Sequence, residues 1–184
     1  LNTVGKNDSV YKSSPQVEVM SILEFNTSLP MMNQTENSVN YFTPKASIRF
    51  NPGDMKDYNS SDRSINVDSI FDINRLAIDD SFEEGKSLTL GVEYKKTDLN
   101  EINKFFEAKI ATVFRDDEEN FIPKKSGINT KNTNLFGSIT NNFSECIKVD
   151  YDFILDNDFN NFEYNSIGTT LNYKNFKTSF DFIE

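Results

Sequence analysis

Histidine is missing from this sequence and cysteine nearly so, with no His and one Cys among 184 residues. Without imidazole the usual general base is gone. Neither a Gly-x-Ser-x-Gly elbow nor a Gly-rich phosphate cradle replaces it, so the chain is expected not to be an enzyme. Cys146, standing alone, closes no disulfide within this stretch and builds no thiolate metal site. Basic residues are also scarce: 19 Lys and Arg face 29 Asp and Glu, a net charge of −10. That balance argues against a nucleic-acid binder, which needs clustered cations for phosphate contacts. No apolar run approaches the ~20 residues of a membrane helix. Only 36% of residues are hydrophobic, so a conventional buried core is expected to be thin. There is no initial Met and no apolar leader. The chain is expected to be an internal piece of something longer, with any targeting segment outside it.

What the sequence does have is alternation. Leu88, Leu90, Val92 and Tyr94 fall on one side of an extended chain, while Ser87, Thr89, Gly91, Glu93 and Lys95 fall on the other. This period of two predicts a strand with one greasy face. In PKASIRF, Ala46, Ile48 and Phe50 oppose Lys45, Ser47 and Arg49. In CIKVDYDFILD, Ile147, Val149, Tyr151, Phe153 and Leu155 oppose Lys148, Asp150, Asp152 and Asp156, with Ile154 as the exception. Phe176, Thr178, Phe180 and Phe182 oppose Lys177, Ser179 and Asp181, and weaker alternation marks Val17 to Phe25, Thr133 to Phe143 and Phe162 to Tyr173. About eight strands are predicted, several near the ~9–11 residues that cross a bilayer when tilted. TDLNEINKFFEAKIATVFR opens with Asp98 and Glu101 in capping-box spacing. It predicts a turn, with a short helix as the alternative, leading into a strand from Phe106.

The connections alternate in length. Long polar links at 51–86 and 116–130 are separated by short ones at Lys96–Asn103, Asn142–Glu145 and Lys174–Asn175. In an up-and-down membrane barrel every second link lies on the same side, so this sorting predicts antiparallel strands forming part of an outer-membrane barrel. Asp156 to Asn161 is a short link where a long one is expected. A soluble β-sandwich also alternates, and remains open on pattern alone.

Candidate sites are few. DNDFNN begins like a calcium loop, but Asn161 stands where Gly is needed and Ile167 where Glu is needed, which excludes an EF-hand. The run Asp116, Asp117, Glu118, Glu119 attracts divalent cations in principle, yet such a run is more often a solvated loop. No metal or cofactor is expected. Arg75, Asp80 and Glu83 form the best constellation: in a loop folded inward, a guanidinium fork orders the chain through charge-assisted hydrogen bonds. Asp80, Glu83 and Glu93 are its expected partners.

Between Val67 and Tyr94 the residues Asp68, Ile70-Phe71, Asn74-Arg75, Asp80, Glu83, Gly85, Gly91 and Tyr94 follow without a gap. An acidic residue, a Leu-Phe-like pair, Asn-Arg, an aspartate, Glu-x-Gly and a strand ending Gly-x-x-Tyr resemble the signature of the LptD family, the organic solvent tolerance proteins. Upstream YFTPKASIRFNP, and downstream FRDDEENFIPKKSGI and LFGSITNNFSECIKVDYDFILD, are similar to the family in order, so that the resemblance runs from about Val17 to Glu184. Ile78, Asp79 and Ser81 depart from it, standing where the family has Gly, an aromatic residue and Arg. The resemblance implies a very large β-barrel in the outer membrane of a Gram-negative bacterium. It implies lipopolysaccharide as the cargo, a periplasmic bridge that delivers it through a domain not in this chain, and an LptE-like lipoprotein plug inside the barrel. Residues 1–184 are then a fragment carrying wall and loops. A general porin and a soluble carbohydrate-binding sandwich are the alternatives.

Overall fold

A computed structural model describes residues 20–101, 103–173 and 176–183. Strands form where side chains alternate: β1 Leu23–Ser28, β2 Met31–Gln34, β3 Ser38–Asn51, β4 Gly85–Asp98, β5 Phe105–Arg115, β6 Asn132–Ser144, β7 Ile147–Leu155, β8 Phe162–Tyr173 and β9 Phe176–Ile183. They make one antiparallel sheet in which β3 to β9 follow each other in chain order. β1 and β2 both pair with β3, one beyond the other along the same edge. Pro30 lacks the amide needed to continue the ladder, which separates β1 from β2; the expected strand ended at Phe25, and β2 was not expected. Leu29 N still reaches Pro44 O at 3.0 Å across the break. The described residues thus hold nine strands, the eight expected and β2. Residues 17–19 of the first expected strand lie outside the described residues.

No α-helix occurs among the described residues. At the ambiguous segment, the Asp98 carboxylate accepts the amides of Asn100 and Glu101 at 2.8 and 3.2 Å. The capping-box spacing therefore closes a turn, and β5 starts at Phe105 instead of a helix.

Because neighbouring strands are antiparallel, connections 52–84, 116–131 and 156–161 leave from one rim and 99–104 and 145–146 from the other. The two long loops touch: Tyr58 N donates to Phe121 O at 2.9 Å and Asn59 Nδ2 to Asn120 O at 2.7 Å. At the far rim Asn103 Nδ2 donates to Glu145 Oε1 at 3.2 Å. The third short link, 174–175, lies outside the described residues.

The two faces of the sheet differ completely. Leu88, Leu90, Val92 and Tyr94 share one face, in register with Ile48, Ala46, Pro44 and Phe42 on β3 and with Phe114, Thr112, Ile110 and Ala108 on β5. This face is bare: Leu88, Leu90, Ile48, Ile110, Phe114, Phe180 and Phe182 are all exposed. The opposite face is covered by the long loops. Met55, Ile65, Val67, Ile70, Leu76 and Ile78 from the first loop and Ile122 and Ile128 from the second close on Ala111, Val113 and Phe136 of β5 and β6. The hydrophobic core therefore lies between loops and wall, and not between two sheets as in a sandwich. Ile154, the exception to its strand's alternation, projects to the covered face and packs against this core. The sheet with its polar and apolar sides is what an up-and-down arc of a large barrel requires.

Candidate functional site

The first loop is built from short side-chain-to-backbone closures. Asn66 Oδ1 accepts the amides of Asp68 and Ser69 at 3.0 and 2.9 Å, an Asx turn that starts the run. Asn74 then brackets the next bend, its Nδ2 donating to Ile78 O at 2.9 Å while its Oδ1 accepts Ile78 N at 3.1 Å. Inside that bracket Ala77 sits at φ 50°, a left-handed conformation that the amide clamp holds. The chain leaves the loop at Gly85, where φ is 84°. A side chain there is strained and meets Glu119 Oε1 at 3.3 Å.

These closures aim Arg75 at the wall. Its Nε donates to Glu83 Oε2 at 2.7 Å and its Nη2 to Glu83 Oε1, a two-pronged pair. Its Nη1 reaches Thr89 Oγ1 at 2.9 Å and its Nη2 reaches Ser87 Oγ at 3.2 Å, both on β4. Glu83 takes two further arginines, Arg49 Nη1 from β3 at 3.3 Å and Arg115 Nη1 from β5. Arg49 in turn holds Glu24 of β1 through Nη2 at 2.8 Å and Nε at 3.2 Å. One loop carboxylate thus binds three guanidiniums, two of them from the wall, and the node spans four strands.

All of these groups are out of water; the Arg115 side chain is 0% exposed, Arg75 1% and Glu83 4%. Burial alone pushes the Glu83 carboxyl up, but the fields and hydrogen bonds of Arg75, Arg115 and Arg49 overcome it and hold the group at about 2. Desolvation acts on Arg75 in the opposite sense, lowering its value, with Glu83 opposing. Ion pairs this deep offset their desolvation only when hydrogen bonds saturate them. Here two backbone carbonyls add to the set: Asp72 O accepts from Arg49 and Glu84 O from Arg115. Among the described residues Arg115 Nε is left without a partner.

Of the residues singled out from the sequence, the node gathers Arg75 and Glu83. Phe71 packs on the wall at Gly91, where an added β-carbon falls 2.9 Å from Phe71 Cζ. Asp68 pairs with Lys109 of β5 at 2.8 Å. Asp80, expected beside Arg75, instead receives Lys56 Nζ at 2.9 Å and the Tyr58 hydroxyl at the exposed side of the loop. Its carboxyl is held below the usual range by those hydrogen bonds. Glu93, the third expected partner, pairs with Lys45 at 2.8 Å. Tyr94 lies on the bare face and donates to Asn40 Oδ1 at 2.9 Å. Of the acidic run, Asp116 and Asp117 face Lys86 and Lys131 at 3.7 and 3.1 Å.

Sequence reasoning missed Arg49, Arg115 and Glu24. A signal existed: Arg49 and Arg115 are the last or nearly last covered-face residues of β3 and β5 before the two long loops. The arrangement has the chemistry of a clasp. It offers no nucleophile and no free acid or base.

A family model described as LPS transport system D matches residues 2–182. The chain belongs to the LptD family. Comparison with curated proteins returned no match. LptD proteins are transport components of the Gram-negative outer membrane and handle lipopolysaccharide; theirs is not an enzyme family. In this LptD chain the clasp therefore joins a loop to a strand array belonging to a transport protein.

Proposed function

We propose that this stretch is part of the barrel wall of the translocon that inserts lipopolysaccharide into the outer leaflet, together with a surface-side loop folded into the lumen. The supporting observation is the sidedness of the sheet. Leu88, Leu90, Ile110 and Phe114 are exposed on one face, while Ser87, Thr89, Arg49 and Arg115 lie under a folded loop on the other. Water does not favour such a bare apolar face, whereas a bilayer does. β3 and β4 have 14 residues each and β5 has 11, enough to cross the ~9–11 residues of hydrocarbon with tilt. On this reading the bare face meets lipid, the covered face meets the lumen, and the long-loop rim faces outward.

Asp68, Phe71, Asn74, Arg75, Glu83, Gly85 and Gly91 then serve as the loop motif that seats the plug-like first loop, with Asp80 on its outer surface and Tyr94 near the opposite rim. The family supplies the remaining partners: an LptE-like lipoprotein inside the barrel and a periplasmic bridge bringing lipopolysaccharide. A general porin, the other reading, needs an open lumen on the face that the loops cover here.

The test is site-directed spin labelling of the intact protein in lipid vesicles. Nitroxides at positions 90 and 110 are expected to collide with dissolved oxygen and not with a water-soluble nickel complex, with the reverse at positions 138 and 150. Nickel access at 90 and 110 overturns the membrane-wall reading.

A further inference from the structure

We propose that the cavity between the first loop and the β6–β8 wall is a subsite for neutral sugar units, an inference that rests on the lipopolysaccharide reading above. The cavity holds about 620 Å³, within the roughly 300–1,000 Å³ of small-molecule sites. Residues 62 and 64–68 of the loop form one side; the covered faces of β7 and β8, with Asp152, Ile154 and Tyr164, form the other. A bulge opposite Ile154 and Leu155 brings Glu163 and Tyr164 together in its lining, the usual work of an extra residue in a strand. Beside Asp152 the wall carries only Ser138 and Ser166, so the floor stays open.

The charged lining is mostly committed. Asp62 is held by Lys125 at 2.6 Å and Asp68 by Lys109 at 2.8 Å, and Glu163 accepts Asn134 Nδ2 at 2.6 Å. Three polar groups keep capacity: the Asp152 carboxylate and the Tyr164 and Ser64 hydroxyls make no hydrogen bond among the described residues. They stand beside the apolar surfaces of Ile154, Ile65 and the Tyr164 ring. A pyranose has the matching chemistry, with C–H faces for the ring and ridge and equatorial hydroxyls for the carboxylate and hydroxyls. Four acids, Asp62, Asp68, Asp152 and Glu163, outnumber the two lysines that answer them. Phosphorylated sugars are therefore repelled while neutral ones are accepted.

The probe is core oligosaccharide cleaved from lipopolysaccharide, in a dephosphorylated and a phosphate-retaining form, presented to the intact protein in detergent. Saturation-transfer NMR is expected to show binding of the dephosphorylated form. Asp152→Asn and Tyr164→Ala each weaken it about tenfold, the effect of losing a charged or stacking contact. Ser64→Phe, which fills the cavity from the loop side, abolishes it. Heat-modifiable gel mobility verifies that each variant is a folded barrel, and Lys177→Ala, on the wall away from the cavity, serves as the neutral control. Equal binding of the phosphate-retaining form, or wild-type binding in all three cavity variants, overturns the subsite. Surface delivery of lipopolysaccharide is read in parallel. Normal delivery without oligosaccharide binding discards the subsite and keeps the transport reading, whereas loss of both in the wild type discards the two together.

Discussion

Phe71 and Gly91, twenty residues apart, fit each other as plug and socket: the ring tip occupies the space that a β-carbon on Gly91 would need, 2.9 Å away. The same β-carbon would lie 3.0 Å from Ile110 O, which is backbone and does not yield. Gly91→Ala is therefore expected to weaken loop seating by about 1–3 kcal/mol, the range for overpacking a filled site. Hydrogen exchange of residues 66–78 in the intact protein measures it. Unchanged protection would mean that the loop seats without Phe71.

Breaking the clasp is expected to cost more. Arg75→Ala leaves Glu83 with two arginines, and Glu83→Gln leaves three buried guanidiniums facing one carboxylate, Glu24. Removing one partner of a buried pair destabilises by about 3–5 kcal/mol. Both variants should release the loop to protease and admit large antibiotics while the barrel still migrates as folded. Because the excess of positive charge is greater in Glu83→Gln, it should be the more severe. Wild-type antibiotic exclusion in both would reduce the loop to a cover with no barrier role.

Acid should act on the same carboxylate. Glu83 titrates at about 2 in the seated loop, against 4.5 for an ordinary glutamate. A depressed folded-state value means that the ionised group stabilises seating fully above the ordinary value and loses that contribution as pH falls from 4.5 toward 2. Protease resistance of the loop should be flat from about pH 5 to about pH 8 and decline only in the acid window. In Glu83→Gln that acid-dependent part should vanish. A decline centred near neutrality would point to a different group.

The bare face makes its own prediction. Leu90→Arg should cost about 2–4 kcal/mol in lipid, as a cation at mid-depth on a barrel exterior does. Lys45→Arg, on the covered face, should be close to neutral. Urea unfolding of the intact protein in vesicles separates them; equal costs would contradict the assignment of faces.

On the bare face Phe153 lies across Gly137, its ring tip in the space that a β-carbon on the glycine would need. The ring replaces the side chain that the glycine lacks. Gly137→Ala and Phe153→Ala should each destabilise, and the double variant should cost less than their sum. Additive costs would show that the two do not cooperate.

Much of this architecture was legible because it is local. Alternation sets which face a side chain takes, so the shared face of Leu88, Leu90, Val92 and Tyr94 follows from sequence alone. Loop lengths likewise sort the rims, because antiparallel strands put every second link on the same side. The break between β1 and β2 at Pro30 was visible in principle, since a missing amide is a local property, yet β2 was not predicted. The capping-box spacing after Asp98 left a short helix open beside the turn, because the same side-chain geometry closes a tight turn as well as a helix.

The site was decided elsewhere. Proximity in sequence favoured both Asp80 and Glu83 for Arg75, but the Asn74 bracket and the turn at Ala77 send Asp80 outward to Lys56 and Tyr58 while Glu83 goes under the loop. Arg49 and Arg115 join only because β3, β4 and β5 pair in a register that sets Arg49, Ser87 and Arg115 in one row. Ile154 broke its strand's pattern for a reason that lay in another segment, the loop core resting against it. Sequence by itself determined strand, face and rim, because those depend on neighbours within a few residues. Tertiary structure alone chose the charge partners and the location of the core, because desolvation and reach are set by what the register brings across the sheet.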